Sequence, residues 1–162
     1  MCQKAVYPGS FDPVTYGHID LIKRALEIFS EVTVAVAHNP RKGPLFSVAE
    51  RVAMLKKATK DLDGVKVVDF DGLVIDYATR QKAKVLIRGL RMISDFEYEF
   101  QMALTNRKLA PHIETIFLMP QESYSYLSSK LLKEAASLGA DMSAFVPDFV
   151  EKALKKKLAK SR

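Results

Sequence analysis

The residues best suited to chemistry lie in one segment near the start of the chain, Tyr7–His18, which contains two prolines, two glycines and one histidine. It follows the strand-like stretch Lys4–Tyr7 and precedes an apolar repeat over Gly17–Phe29 that predicts an amphipathic helix. His18 therefore falls in the first helical turn, where unpaired backbone N–H groups and the helix dipole favour an anion. Singly, a histidine at a helix start or a Pro-Gly pair marks only a polar residue or a turn. Together, in a strand–loop–helix context, they predict a phosphate-binding site.

Three further segments rich in cationic or hydroxyl side chains follow predicted strands: His38–Pro44, Arg88–Arg91 and Ser123–Lys130. Because the carboxyl ends of parallel strands meet at one edge of a sheet, we expect these segments to share one cleft with His18. Their cations, Lys42, Arg88 and Arg91, would then converge on the ligand. Several cations around one cleft imply several phosphates, since each desolvated anion needs a positively charged donor.

Each of these side chains also has a structural interpretation. The two arginines could form surface salt bridges with the acidic residues that follow them, Asp95, Glu97 or Glu99. Lys42 could be an ordinary loop lysine, and Ser128 could only cap the helix that it precedes. A capping serine still offers its hydroxyl and the neighbouring N–H groups to phosphate, so for the serines the two interpretations are compatible.

Short β-rich runs alternate with helical repeats along the chain. The strand candidates are mostly apolar, as expected for parallel strands covered on both faces: Lys4–Tyr7, Val32–Ala37, Val65–Phe70, Val85–Arg88 and Thr115–Leu118. Helices are predicted at Gly17–Phe29, from a capping box at Ser47-x-x-Glu50, at Val74–Gln81, from a second box at Ser94-x-x-Glu97 to Leu109, at Ser128–Leu138 and from Pro147. This order predicts an α/β fold, namely a single-domain, doubly wound (Rossmann-like), five-stranded parallel sheet with helices on both faces and a C-terminal helix.

Composition narrows the classes of function. The chain has 162 residues, a net charge of +6 and one cysteine, Cys2, which cannot form an internal disulfide, so we expect a cytoplasmic protein. Six of the 25 basic residues but one of the 19 acidic residues lie in Glu151–Arg162. We therefore interpret the positive charge as a solvated basic C-terminal helix or tail and expect no nucleic-acid partner. No apolar run approaches the roughly 18 residues of a membrane span, so we expect no membrane partner.

Several common catalytic motifs are missing from the sequence. It has no P-loop, no G-x-G-x-x-G fingerprint, no nucleophile elbow and no Cys/His cluster suited to zinc. The predicted cleft thus offers charge and positioning without an evident covalent nucleophile. This combination suits direct phosphoryl or nucleotidyl transfer, in which the protein orients the reactants and stabilises the spreading charge.

The segment Tyr7–His18, which ends in Thr15-Tyr16-Gly17-His18, resembles the T/H-x-G-H signature of the nucleotidylyltransferases. More narrowly, the whole chain resembles the bacterial phosphopantetheine adenylyltransferase family. The blocks that carry this narrower resemblance follow in the family's order and spacing: Val85–Arg91, Asp95–Gln101, Phe117–Pro120 and Ser128–Glu134. The signature alone indicates the superfamily, and the Arg-Gly-Leu-Arg and Asp-Phe-Glu-Tyr-Glu blocks make the assignment specific.

The resemblance implies a reversible, Mg²⁺-dependent reaction in which ATP and 4′-phosphopantetheine give dephospho-coenzyme A and pyrophosphate by in-line transfer without a covalent intermediate. It implies catalytic roles for His18, Lys42 and Arg91, with His18 donating to the α-phosphate. It implies phosphopantetheine contacts from Ser10, Lys42, Val74 and Arg88. ATP contacts are implied for Ser10, Phe11, His18, Gly89, Leu90, Arg91, Glu99, Tyr124, Ser125, Tyr126, Leu127, Ser128, Ser129 and Lys130. No metal-binding side chain is implied, because the phosphates of ATP would hold the Mg²⁺.

Two positions depart from the family pattern. Tyr124 stands where some relatives have Trp, and Lys130 stands where many have a third Ser or Thr, so Lys130 either favours pyrophosphate or points away from the helix. The resemblance further implies a homohexamer and feedback binding of coenzyme A in the same cleft. The apolar helix faces alone do not separate core from subunit contact. His38 and His112 are expected to be bystanders.

Two alternatives stay open. The first is another nucleotidylyltransferase of the same fold, which would act on nicotinamide mononucleotide or on glycerol or choline phosphate. The second is a non-catalytic nucleotide-binding protein or a basic nucleic-acid-binding module. Turnover with a panel of acceptors separates the first alternative from the prediction, and binding without turnover would indicate the second.

Overall fold

The computed structural model describes residues 4–159, so Cys2 and the last three residues of the predicted basic tail lie outside the described residues. The strands are β1 (Lys4–Gly9), β2 (Glu31–Ala37), β3 (Val65–Phe70), β4 (Val85–Gly89) and β5 (Glu114–Leu118). All five predicted strands are confirmed. The first extends past its prediction to Gly9 and the fourth to Gly89, so both reach further toward the predicted cleft.

The helices are α1 (Tyr16–Leu26), α2 (Val48–Ala58), α3 (Val74–Arg80), α4 (Ile93–Leu109), α5 (Ser129–Ser137) and α6 (Asp148–Ala159). Short 3₁₀ turns at Pro40–Lys42 and Glu122–Tyr124 lie in the loops after β2 and β5. Within residues 4–159 no helix combines the length and the apolar composition needed to cross a membrane.

Local capping explains where the predicted helix boundaries hold and where they are wrong. At α2 the Ser47 hydroxyl accepts from the Glu50 N–H and the Glu50 carboxylate accepts from the Ser47 N–H, which is the predicted capping box. The second predicted box is wrong, because α4 begins at Ile93, before Ser94, and Met92 caps it without a side-chain bond. The first helix ends at Leu26 rather than Phe29, since the N–H groups of Ile28 and Phe29 both donate to the Ala25 carbonyl and close it. The last helix begins at Asp148, one residue after Pro147.

The five strands are all parallel and lie in the order β3-β2-β1-β4-β5. The chain builds one half of the sheet outward from β1 to β3 and then returns to the other side of β1. The strand order therefore reverses between β1 and β4. In a doubly wound sheet a crevice opens at such a reversal, outside the carboxyl ends of the strands, because the connections there leave toward opposite faces.

Alternate side chains of the central strands enter two apolar layers. On one face, Tyr7 and Val34 pack in a layer that includes buried residues of α1, α2, α5 and α6. On the other face, Val6 and Ala35 pack in a second layer around α3. The prediction that helices cover both faces is therefore confirmed.

The long helix α4 departs from this covered arrangement. None of its 17 residues is buried. Large apolar side chains recur along it every three or four residues and stay exposed: Ile93, Phe96, Phe100 and Leu104. Ile93 is 92% exposed, and the rings of Phe96 and Phe100 stack with centroids 5.5 Å apart. We call these four residues the α4 stripe.

Candidate active site

A cleft of about 650 Å³ opens at the carboxyl ends of β1 and β4, where the strand order reverses. Its walls come from the segments that follow β1, β2, β4 and β5, the connectivity that the sequence predicted. The predicted site residues that line it are Ser10, Phe11, His18, Arg88, Gly89, Arg91, Glu99, Tyr124, Leu127, Ser128, Ser129 and Lys130. A larger cavity of about 970 Å³ lies between α2 and α6, and its walls, mainly apolar side chains and lysines, contain neither His18 nor the two arginines.

Four predicted contacts lie outside the walls of this cleft in the described part of the chain: Leu90, Val74, Ser125 and Tyr126. Val74 begins α3 and packs against the apolar layer on the far side of the sheet. Ser125 donates its hydroxyl to the Glu122 carbonyl, and Tyr126 is 57% exposed with its ring against Phe145. The backbone of Lys42 ends the 3₁₀ turn after β2, and its side chain lies outside what the structure describes. The roles of these five residues toward ligands stay predictions, as do those of the predicted residues that line the cleft.

The backbone after β1 adopts an uncommon conformation at Phe11. Its φ of +49° lies in the left-handed region, which residues other than glycine rarely adopt, and the next peptide bond, Asp12–Pro13, is cis. The Phe11 ring is buried and meets the rings of Tyr7 and His18 edge-on, with centroids 5.3 and 5.0 Å away. This packing holds the strained residue in place and supports one side of the imidazole.

His18 and Thr15 form a reciprocal cap at the start of α1. The Thr15 N–H donates to His18 Nδ1 at 3.0 Å, and the His18 N–H donates to Thr15 Oγ1 at 3.3 Å. Because a backbone N–H can only donate, Nδ1 is the acceptor and the neutral ring carries its proton on Nε2. The cap thus fixes both the position of the imidazole and its tautomer, and Nε2–H is the donor of the neutral ring.

The surroundings of His18 also fix its charge. Burial, with a smaller contribution from the Arg91 guanidinium, lowers the pKa of His18 from 6.5 to about 4. The imidazole is therefore neutral at neutral pH. It contributes a hydrogen-bond donor to the cleft without adding a charge.

Arg88, near the end of β4, donates one hydrogen bond from each of its three guanidinium nitrogens. Nε and Nη2 donate to the two carboxylate oxygens of Glu99 on α4 at 2.8 and 2.6 Å, and Nη1 donates to the Pro8 carbonyl at 3.2 Å. Burial acts to lower the pKa of Arg88, but the bonds and charge of Glu99 outweigh it and raise that pKa. The guanidinium is thus charged and oriented, and Glu99 is the group that orients it.

Arg91 joins the loop after β4 to the segment after β5. Its Nε donates to Asp95 at 3.0 Å and its Nη1 donates to the Leu127 carbonyl at 2.6 Å. Both arginines therefore make the acidic salt bridges that the sequence left open, and both still line the cleft.

The serine-rich segment after β5 brings the N-terminus of α5 to the cleft. Ser128 caps the helix by accepting from the Leu131 N–H at 3.1 Å, as predicted. The Ser129 hydroxyl donates to the Pro13 carbonyl at 3.1 Å, which ties this helix to the histidine-bearing segment. Lys130 is exposed at the cleft rim. The positive end of a helix dipole here favours an anionic ligand.

The polar residues of the cleft wall that received no individual site role from the sequence include Asp12, Thr15, Asn39, Arg51 and Lys133. The Asp12 carboxylate accepts from the N–H groups of Leu45 and Phe46 and from Lys133. These partners are 33 or more positions away, so no local pattern indicates them. Thr15 is the first residue of the T/H-x-G-H match. Its capping role is predictable too, because a hydroxyl residue three positions before a side chain that can accept is the spacing of a capping box.

The cleft does not form a protein-held metal site. The described residues contain no group of three or more His, Cys, Asp or Glu side chains able to hold a metal ion. The carboxylates that line the cleft are paired with cations, Asp12 with Lys133, Asp95 with Arg91 and Glu99 with Arg88. The residues present therefore do not fit a divalent cation bound by protein ligands alone.

Comparison with known proteins gives the family. The cytidylyltransferase-like family model matches residues 6–135. The phosphopantetheine adenylyltransferase of Caldanaerobacter subterraneus subsp. tengcongensis is 58% identical over 157 residues, 97% of this chain and 98% of the relative. That of Alkaliphilus metalliredigens is 55% identical over 152 residues, 94% of this chain and 97% of the relative. The chain belongs to the phosphopantetheine adenylyltransferase family.

Solved structures with much lower sequence identity to this chain share the fold. A protein assigned as a nicotinate-nucleotide adenylyltransferase from Vibrio parahaemolyticus aligns with a TM-score of 0.73 and 19% identity over 100% of this chain and 98% of that chain. A bifunctional NMN adenylyltransferase/ADP ribose pyrophosphatase from Francisella tularensis aligns with a TM-score of 0.72 and 16% identity over 98% of this chain and 50% of that chain. These identities carry the fold alone, so any inference about the acceptor rests on the phosphopantetheine adenylyltransferase relatives.

We predict that His18 does not titrate between about pH 8 and about pH 5.5, because its pKa is about 4 in the folded protein. Long-range ¹H–¹⁵N NMR, with the ring assigned from a His18→Gln variant, should show protonated Nε2 and unprotonated Nδ1 throughout this range. Because the unfolded chain takes up this proton near pH 6.5 and the folded chain only near pH 4, acidification through that window should lower the free energy of unfolding. A midpoint near 6.5, or a proton on Nδ1, would contradict the geometry.

Proposed function

We propose that this chain transfers the adenylyl group of ATP to the phosphate of 4′-phosphopantetheine, which gives dephospho-coenzyme A and releases pyrophosphate. The observation that carries the proposal is the 58% identity to a phosphopantetheine adenylyltransferase over 97% of the chain. The cleft supports it, because His18, two oriented arginines and a helix N-terminus suit a substrate with several phosphates.

In the proposed step a phosphate oxygen of 4′-phosphopantetheine attacks the α-phosphorus of ATP, and the bond from that phosphorus to the oxygen bridging the β-phosphate breaks. The electron pair of this bond leaves with pyrophosphate. His18 donates from Nε2 to a non-bridging α-phosphate oxygen as charge redistributes there. The ring is neutral in the free protein, where its pKa is about 4, so its proposed role is that of a fixed hydrogen-bond donor.

The two arginines have separate proposed roles. Arg88, together with Lys42, holds the phosphate of the acceptor. Arg91, together with Ser129 and Lys130 at the start of α5, holds the phosphates of ATP. The carboxylates of Glu99 and Asp95 already orient the two guanidinium groups, so little side-chain freedom is lost when substrates bind.

Mg²⁺ enters this proposal as part of the nucleotide substrate. Phosphate oxygens are ligands that Mg²⁺ favours, and the described residues offer it no cluster of carboxylates. We further propose a cytoplasmic enzyme whose cleft also accepts dephospho-coenzyme A and coenzyme A. The single cysteine of the chain supports a cytoplasmic location, and the family resemblance supports the binding of dephospho-coenzyme A and coenzyme A.

We predict that pyrophosphate is released from ATP with 4′-phosphopantetheine but not with nicotinamide mononucleotide, glycerol 3-phosphate or choline phosphate.

His18→Ala should lower kcat about 10²–10³-fold and leave both KM values nearly unchanged, because the hydrogen bond of the imidazole strengthens as charge develops. A coupled pyrophosphate assay measures the rates, and mass spectrometry identifies dephospho-coenzyme A.

His112→Ala is the matched control, since His112 contacts Thr79 and lies outside the cleft walls. It should keep the parent rate. Turnover with another acceptor at a comparable rate would overturn the proposed substrate. Near-normal kcat in His18→Ala would overturn the proposed role of the imidazole while leaving the substrate intact.

We infer that copies of this chain assemble into a homohexamer through the α4 stripe, in line with the family resemblance. The exposure of Ile93 and Phe100 supports this, because monomers rarely leave a continuous apolar stripe in water. The double variant Ile93→Asp/Phe100→Asp should therefore form smaller species in sedimentation velocity. Leu138→Asp is the control, since Leu138 is 86% exposed and lies outside α4. A double variant with the parent's mass would contradict the inference.

A further inference from the structure

Arg51 on α2 is an unusual component of the cleft wall. It is 2% exposed and is the largest of the fully buried side chains among the described residues. Arginine is almost never fully buried unless it is paired. Removing a guanidinium from water is costly, and apolar replacements of buried charges are often neutral or stabilising. The complete burial of Arg51 therefore suggests a role besides stability.

The guanidinium of Arg51 joins three separate backbone segments. Nη1 donates to the Ser10 carbonyl at 2.7 Å and to the Ala37 carbonyl at 3.1 Å, and Nε donates to the Phe46 carbonyl at 3.1 Å. Ser10 is the first residue after β1, in the stretch that leads to His18, and Ala37 ends β2. These three bonds thus span the two ends of the loop that carries Lys42.

Asp12 links two of these three segments, the one after β1 and the one before α2, with bonds of the opposite polarity. Its two carboxylate oxygens accept from the N–H groups of Leu45 and Phe46 at 2.9 Å each. Arg51 therefore holds carbonyls where Asp12 holds N–H groups, and the charges of the two side chains favour each other. The segment at Ser10–Asp12 and the segment at Leu45–Phe46 are consequently held as one unit.

We propose that Arg51 is a positioning residue for adenylyl transfer: its planar fork fixes the Lys42 loop relative to Ser10 and His18, and so aligns the acceptor phosphate with the α-phosphorus. This rests on the proposed function. Arg51 acts through the backbone of the two loops. Misplacement of reactants by about 1 Å costs about 10²-fold in rate. Loss of the three bonds that hold the loops after β1 and β2 should therefore lower the rate measurably.

The effect should fall mainly on the acceptor. Arg51 bonds to both ends of the Lys42 loop but to only one residue with a predicted ATP contact, Ser10. The nucleotide side of the cleft is also held by Arg91 bonded to Leu127 and by Ser129 bonded to Pro13. Disturbing Arg51 should therefore raise KM for 4′-phosphopantetheine more than KM for ATP. A residue that only stabilises the fold would lower the folded fraction and leave both KM values unchanged.

The test compares Arg51→Met and Arg51→Lys with Arg80→Met, whose arginine is exposed on α3 and is not among the residues that line the cleft. Arg51→Met should lower kcat/KM for 4′-phosphopantetheine about 10²-fold and change KM for ATP less than about threefold. Arg51→Lys keeps the charge but cannot reproduce the fork, so it should recover part of the stability and little of the rate. Arg80→Met should match the parent.

Amide hydrogen exchange provides a second measurement that needs no turnover. Arg51→Met should speed exchange at Leu45 and Phe46 while the amides of β1 stay protected. Folded Arg51 variants with parental KM values and kcat, or with equal changes in both KM values, would overturn the proposal. An inactive parent enzyme would overturn the proposed function instead, and the exchange data would still decide whether Arg51 holds the loops. Should Arg51→Met not fold, Arg51→Lys carries both measurements.

Discussion

One hydrogen bond, from the Thr15 N–H to Nδ1 of His18, determines what the cleft can do. A backbone donor cannot reverse its direction, so the bond places the ring proton on Nε2. Thr15 can form it because it is the N-cap of α1, and α1 begins there because the segment after β1 turns through Phe11, Asp12 and Pro13. The same enclosure that packs Phe11 against the ring keeps the imidazole neutral. Position, tautomer and charge of the proposed donor thus follow from one local structure.

The cations around this imidazole are ordered by acidic partners. Glu99 holds Arg88 in a two-point ion pair, and Asp95 holds Arg91. Both ion pairs lie at one cleft, so its two arginines are neither dispersed over the surface nor without acidic partners. A phosphate that binds here would share these guanidinium groups with the carboxylates. The carboxylates weaken the electrostatic attraction to the phosphate, but they hold the donors in a fixed orientation. Arg51 and Asp12 extend this order to the backbone of two loops.

The sequence predicted the fold well because its signals are local. Short β-rich runs, several of them almost continuously apolar, predicted the five strands, and the Ser47-x-x-Glu50 spacing predicted a real capping box. The same spacing at Ser94 failed, since α4 begins earlier at Ile93 and tertiary context decided its start. Carboxyl ends of parallel strands meet, which explains why His18, Arg88 and Arg91 could be predicted together. Arg51 and Asp12 could not, because the bond from Arg51 to Ser10 and the bond from Leu45 to Asp12 join residues 41 and 33 positions apart, which only the folded chain brings together.

In the proposed mechanism, neutral His18 donates from Nε2 to the α-phosphate during transfer. A crystal structure with 4′-phosphopantetheine and an ATP analogue in which a methylene group replaces the α,β-bridging oxygen would show this contact. We expect Nε2 to lie within about 3.2 Å of a non-bridging α-phosphate oxygen while Nδ1 keeps its bond to the Thr15 N–H. An α-phosphate bound elsewhere, or an imidazole turned so that Nδ1 faces the phosphate, would contradict it.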